Sequence, residues 1–172
     1  MTINPNEVTR QAVERYHARM SGNSILRNKV PVKIKRLHPD AVIPRYATEL
    51  AAGFDLVAVT EGKLPPGEHA IIPTGIAVEI PEGYGLFLFA RSGHAAKYGI
   101  TLSNAVGVVD ADFRGEIKVL IHNTGSEIFT IEKGMRIAQG VVMPVPSVEI
   151  IEVNDVSETK RGGGAFGSTG NS

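Results

Sequence analysis

Asp110 and Phe113 stand in the stretch of this chain whose residue types and spacing most directly suggest chemistry. It runs Asn104-Ala105-Val106-Gly107-Val108-Val109-Asp110-Ala111-Asp112-Phe113-Arg114-Gly115-Glu116-Ile117. Asp110 ends an apolar approach through Val106, Val108 and Val109, and Asp112 and Phe113 follow closely. The stretch reads as a hairpin, and a carboxylate at its mouth can orient and deprotonate a water. An aromatic ring three residues on can cover the flat face of a bound ring. Taken alone, the plainer reading is a tight Asp-rich turn over a packed strand, because Asp bonds its own backbone locally.

Other groups carry weaker signals of the same kind. Arg91-Ser92-Gly93 follows an apolar run and opens a short helical pattern that Gly99 would end. Ser92 is a plausible cap whose hydroxyl and neighbouring N–H groups suit an anion, and Arg91 suits phosphate. The alternative is a capped turn with a surface arginine. His94 has no cysteine and no second histidine at ligand spacing, so it is assigned neither a metal nor a place in a Ser-His-Asp arrangement. Asp55, in Ala52-Gly53-Phe54-Asp55-Leu56, is by default a solvated strand residue. It can also hold waters around a divalent ion, since magnesium keeps much of its hydration. Arg136 and Gln139 interrupt the apolar run Met135–Val145, and buried polar groups need partners. The tail from Thr159 to Gly170 reads first as an unstructured terminus. It nevertheless combines Arg161, Phe166, Gly167, Ser168 and Thr169 with glycines that let backbone approach phosphates. It is not a P-loop, which needs a Gly-Lys-Ser/Thr step into a helix.

The elements that must position these groups are short strands. Val30–Leu37, Phe54–Val59, His69–Thr74, Ile76–Ile80, Tyr84–Ala90, the two arms flanking Asp110, Ile128–Ile131, Met135–Val145 and Val148–Val153 all read as strands. Pro31 suggests that the first is an edge. Phe54, Leu56 and Ala58 should face one way and Asp55 the other. Nineteen glycines and ten prolines fall between these runs, the texture of an all-β sandwich or barrel. At the other end, residues 4–22 read as a helix: Asn4 caps it, Pro5 and Glu7 suit its first turn, and Val8, Ala12, Tyr16 and Met20 share a face. It packs on its own domain or binds a protein partner, and the first is preferred. Ser21–Asn28 reads as a linker.

Composition bounds the function. A chain of 172 residues is long enough for one cored domain. Eighteen basic and eighteen acidic residues cancel, so no global field draws nucleic acid. The absence of cysteine removes disulfides, thiolate zinc and a cysteine nucleophile, and fits a reducing compartment. No signal peptide pattern and no apolar run of roughly 20 residues is present, so the expectation is a soluble, cytoplasmic protein.

Five stretches in order resemble the five motifs of the trimeric dUTPase family: Ala52–Leu56, Arg91–Gly93, Asn104–Ile117, Arg136–Gln139 and Arg161–Gly170. The likeness runs from about Val30 to the C-terminus. It implies an all-β, jelly-roll-like subunit with one short internal helix over residues 29–156. The helical extension and linker read over 1–28 lie outside the likeness, and a flexible arm over 157–172 would follow the β domain. The likeness implies a homotrimer that hydrolyses dUTP to dUMP and pyrophosphate with Mg²⁺, keeping uracil out of DNA and supplying dUMP for dTMP synthesis. Asp110 matches the base that activates water for attack at the α-phosphorus. Asn104 and the backbone near Gly107 would read uracil, and Phe113 would pack on deoxyribose. Arg91, Ser92, Gly93 and Gln139 would hold phosphates, while Asp55 would order magnesium-bound waters. Phe166 and Gly167 would close over uracil, with Arg161, Ser168 and Thr169 on the γ-phosphate. Arg136 would support the subunit interface or the arm. Each site would be shared by three chains.

Two positions depart from the family pattern. Phe113 stands where tyrosine is usual, which keeps the ring and loses a hydroxyl. Ala165 stands where glycine is usual, at a cost of about 1 kcal/mol if that position needs positive φ. Two other readings compete. A dCTP deaminase shares this fold, but the Asp110 stretch and the complete tail motif argue against it. A nucleotide-binding regulator acting through residues 4–22 would bind dUTP without turnover.

Overall fold

A strand that buries one face must find a second apolar layer, and this chain supplies two. The computed structural model describes residues 29–165. The expected helix at 4–22 and the arm residues Phe166, Gly167, Ser168 and Thr169 lie outside them. One sheet orders β1 (Lys33–Arg36), β4 (His69–Glu79), β8 (Glu116–Asn123) and β6 (Ile100–Leu102). The other orders β2 (Phe54–Val57), β10 (Arg136–Pro144), β5 (Tyr84–Ala90) and β7 (Gly107–Val109). A two-stranded ribbon pairs β3 (Gly62–Leu64) with β9 (Phe129–Ile131). Among the described residues one helix, α1 (Ser92–Tyr98), follows β5. All the pairings between these strands are antiparallel. The sheets stay open, so the expected β fold takes its sandwich form, jelly-roll-like, and not a closed barrel.

The alternation seen in the sequence sets the core. On β8, Ile117, Val119 and Ile121 point inward and are almost fully buried, while Lys118 faces out. Phe54, Leu56 and Ala58 are buried as expected, with Asp55 between them on the other face. One continuous cluster joins these to Leu86 and Leu88 of β5, Ile76 and Val78 of β4, and Phe129 and Ile131 of the ribbon. Asn123 ends the β8 row fully buried, and its amide donates to the carbonyls of Leu64 and Glu127, both at 2.8 Å. A buried amide satisfied in this way ties the ribbon to the sheet.

Several expectations change in the folded chain. His69–Thr74 and Ile76–Ile80 are one strand, with its register broken between Pro73 and Ala77. Pro73 has no N–H for a ladder, and Gly75 sits at φ +67°. The Thr74 hydroxyl bonds the Ile117 carbonyl and the Glu116 carboxylate accepts the Gly75 N–H at 2.9 Å, so side chains bridge the irregularity. The arms flanking Asp110 are strands but not a paired hairpin. β7 pairs with β5 and β8 pairs with β4 and β6, so the Asp110 turn crosses between sheets. Val109 and Ile117 both bury into the core, and each reaches it from its own sheet. Val148–Val153 forms no strand: Val148, Ile150, Ile151 and Val153 are exposed and add nothing to either sheet. α1 starts one residue earlier than a Ser92 cap requires. Arg91 is the cap residue and makes no side-chain cap bond, whereas Gly99 ends the helix at φ +69° as expected.

Candidate active site

The candidate residues gather at opposite ends of β5. β7 lies along the start of that strand, pairing Val109 with Leu86, Val108 with Phe87 and Gly107 with Leu88. Asp110 therefore leaves the ladder beside the beginning of β5. It is exposed and lines, with Asn104, Gly107 and Phe113, a cleft of about 410 Å³. Leu88, Leu102 and Val119 supply apolar walls, and Glu116 and Lys118 add charge. A concave, partly apolar site with few convergent polar groups suits a small organic ligand.

Local backbone chemistry shapes this end. The Phe113 N–H donates to the Asp110 carbonyl at 3.2 Å, closing the turn. The Arg114 guanidinium braces it by donating to the carbonyls of Ala111 and Phe113 at 2.6 and 2.9 Å. The Phe113 ring folds back over Gly115, where an added Cβ would stand 2.6 Å from the ring's Cζ. Glycine at 115 thus sets where the ring lies, and the ring stays 44% exposed. Ala105, beside Asn104, has φ +58°, and the Val106 N–H reaches back to the Asn104 carbonyl at 2.6 Å. That is a three-residue turn of the positive-φ kind, rare and strained for an alanine. Strain of about 1–3 kcal/mol persists only where the surroundings over-determine it. Asn104 is a turn-forming type, but the sequence does not place the positive φ on the alanine after it, so Ala105 was not legible in advance.

The other end is charged. The β10–β2 register sets Gln139 opposite Asp55. The two Asp55 oxygens each take an arginine: Oδ1 accepts from Arg91 Nε at 3.0 Å and Oδ2 from Arg136 Nη1 at 3.0 Å. Arg91 also donates through Nη1 to the Arg136 carbonyl at 3.3 Å, and the same Nη1 lies 3.3 Å from His94 Nε2. Ser92 and Gly93 are exposed at the start of α1. A second cavity of about 480 Å³, lined by Arg36, Tyr46, Asp55 and Arg136 among others, opens on this side. His94, left without a role by its spacing, is drawn in because the first turn of α1 sets it three residues beyond Arg91. Its ring sits against Tyr98 and Phe129, with centroids 6.2 and 5.4 Å away. Burial first, then the positive charge of Arg91 and Arg136, lowers its pKa, with Asp55 opposing.

Within one chain the two ends stay apart. From the Gly85 end of β5, beside Asp110, to Arg91 at its exit is roughly 20 Å at about 3.3 Å per residue. Arg161, in the tail, donates through Nε to its near neighbour Gly164 at 2.8 Å. Among the described residues, no group of three His, Cys, Asp or Glu side chains is placed to hold a metal, and no helix is long and apolar enough to cross a membrane.

Residues 40–170 match the dUTPase family profile. The chain belongs to the dUTPase family. By family it is an enzyme, a dUTP diphosphatase. Deoxyuridine 5'-triphosphate nucleotidohydrolase of Wolinella succinogenes is 50% identical over 144 residues, 84% of this chain and 97% of that one. Its counterpart from Nautilia profundicola is 52% identical over 139 residues, 81% and 98% of the two chains. Among solved structures, a variant dUTPase of Staphylococcus bacteriophage 80alpha with dUpNHpp superposes with TM-score 0.74 at 30% identity, covering 81% of this chain and 98% of that one. A variant dUTPase from phage phi11 of S. aureus, described for its coordination of a structural Mg(II) ion, superposes with TM-score 0.67 at 26% identity, covering 73% and 97%. The dUTPase fold is thus shared across the β domain.

Proposed function

We propose that this dUTPase hydrolyses dUTP to dUMP and pyrophosphate at sites shared between the subunits of a homotrimer, with Asp110 activating the water that attacks the α-phosphorus. The observation that carries this reading is the separation of the two ends of β5. A triphosphate held by Arg91 and Ser92 cannot reach Asp110 of the same chain across roughly 20 Å of strand. A symmetric assembly brings one chain's Asp110 end to another chain's Arg91 end without changing either. The exposed Val148, Ile150, Ile151 and Val153 offer apolar surface for such a contact.

In this reading the Asp110 cleft takes the nucleoside. Asn104 and the strained backbone beside it, with Gly107, read uracil. Phe113, held by Gly115, packs on the sugar and leaves no room for a 2′-hydroxyl. Arg91, Ser92, Gly93 and Gln139 hold the phosphate chain. Both parts suit phosphoryl transfer, which depends on positioning and charge stabilisation and not on a covalent nucleophile. The arm, residues 157–172, brings Arg161, Phe166, Gly167, Ser168 and Thr169 over a neighbour's site and excludes water. Asp55 fits magnesium only through water, because both its oxygens are already bonded by arginines and, among the described residues, no carboxylate cluster stands beside it. Magnesium bound with the triphosphate supplies charge neutralisation there, which fits its retained hydration. The enzyme works in the cytoplasm, and residues 1–28 form an extension outside the catalytic unit.

Two experiments test the reading. Pyrophosphate release with Mg²⁺ is compared for dUTP, dCTP, dTTP and UTP; rapid release from dUTP alone is expected. Release from UTP would overturn the role given to Phe113, and ammonia from dCTP would overturn the reaction. Sharing is tested by refolding Asp110→Asn together with Arg91→Ala. Random mixing restores about a quarter of the sites if Asp110 and Arg91 act across a subunit boundary, and restores none if they act within one chain.

A further inference from the structure

We infer that His94 is a positioning residue for Arg91: its Nε2 accepts from Nη1 of the guanidinium and fixes where the remaining amino group faces the substrate phosphates. The inference rests on the reading in which Arg91 binds the triphosphate. A guanidinium has only donors. Nε of Arg91 is committed to Asp55 at 3.0 Å, and Nη1 to the Arg136 carbonyl and His94 Nε2, both at 3.3 Å. Among the described residues, this leaves Nη2 for a ligand. Three anchors, made through two nitrogens of a planar fork, set its plane as well as its position.

The state of the imidazole follows from the same contacts. Nε2 can accept from Arg91 only if it carries no proton, so the proton of the neutral ring lies on Nδ1. Among the described residues, buried Nδ1 has no hydrogen-bond partner. A buried polar atom left unpaired costs stability and calls for an explanation. The Tyr98 and Phe129 rings that enclose His94 would be filled as well by an apolar side chain. What the imidazole adds to that enclosure is the acceptor at Arg91. The charged and titratable groups facing it are Arg91 at the head of its own helix, Tyr98 further along it, Arg136 from β10 and Asp55 from β2. Burial first, then the two arginines, lowers the ring's pKa and favours its neutral form, with Asp55 opposing.

The test combines kinetics with a spectroscopic signature. In the native enzyme, nitrogen-15 NMR is expected to show the His94 ring with its proton on Nδ1; a proton on Nε2 would overturn the inference, whatever any variant does. His94→Phe fills the enclosure without an acceptor. It is expected to raise KM for dUTP about tenfold, the cost of misplacing one charge-assisted contact, with kcat nearly unchanged and the melting temperature kept or raised. His94→Gln, which restores an acceptor, is expected to recover most of that loss. A phenylalanine variant with native KM and kcat would reduce His94 to a filler of the aromatic enclosure. Arg91→Ala separates the two levels. If it costs dUTP binding while His94→Phe does not, this inference alone fails. If it leaves binding intact, the reading of Arg91 fails and takes the inference with it.

Discussion

In the proposed reading Asp110 and His94 act in different ways, the first on the attacking water and the second through Arg91. Asp110 is exposed on a turn braced by Arg114, free to hold a water. Asp110→Asn is expected to keep dUTP binding, measured by calorimetry, and to lose at least ~100-fold in turnover, since a missing general base removes that much. His94 makes a different demand. Burial and the neighbouring arginines hold its pKa below the ordinary histidine range, so the folded chain binds fewer protons here than the unfolded chain. The stability tied to this ring is fully present above about pH 6.5 and falls as the pH drops towards the depressed folded value. Between about pH 7 and pH 5, His94→Phe is therefore expected to lose less melting temperature than the native enzyme. Asp110 could be singled out from its spacing to Phe113 and Gly115. His94 could not, because its significance depends on a helical turn that returns it to Arg91 and on rings contributed by Tyr98 and Phe129.

At the scale of elements, β5 does most of the positioning. It carries β7 and β10 on its two edges and delivers Arg91 and α1 from its end. Leu86 of this strand is fully buried, so Leu86→Ala is expected to cost ~2–5 kcal/mol in chemical denaturation through lost burial and the cavity left behind. α1 depends on its stop. Gly99 lies at φ +69°, and an added Cβ would stand 2.6 Å from the Gly125 nitrogen. Gly99→Ala is expected to destabilise by at least ~1 kcal/mol, read from the urea midpoint. Most elements were legible because alternation and glycine punctuation report directly which face is buried and where a chain turns. Val148–Val153 misled for the same reason: its β-branched residues suit a strand, but a ladder needs a partner that the described residues do not offer it. The Asp110 turn misled in the opposite sense, since local pattern shows two strands and a turn without showing that the strands join different sheets.

At the scale of the molecule, the catalytic reading predicts an assembly. Removing Thr159–Ser172 is expected to leave a folded trimer by light scattering with little dUTP turnover; monomers would make the tail a structural element instead. Removing residues 1–28 is expected to leave turnover intact, because the family match begins at residue 40 and the described core starts at β1. A collapsed rate would mean that the extension braces the site.

The sequence by itself determined the chemistry available, the β-rich class and the order of the elements. Residue types, alternation and turn residues are local properties, and five motifs in order were enough to indicate the family. Only the tertiary structure decided that Asp55 is held between Arg91 and Arg136, that His94 lies against Arg91, that Ala105 is strained, and that Asp110 and Arg91 occupy opposite ends of one strand. Each of these depends on pairing register and on contacts between distant segments. Local sequence does not encode such contacts, because sheet pairing is settled by which faces can be buried together.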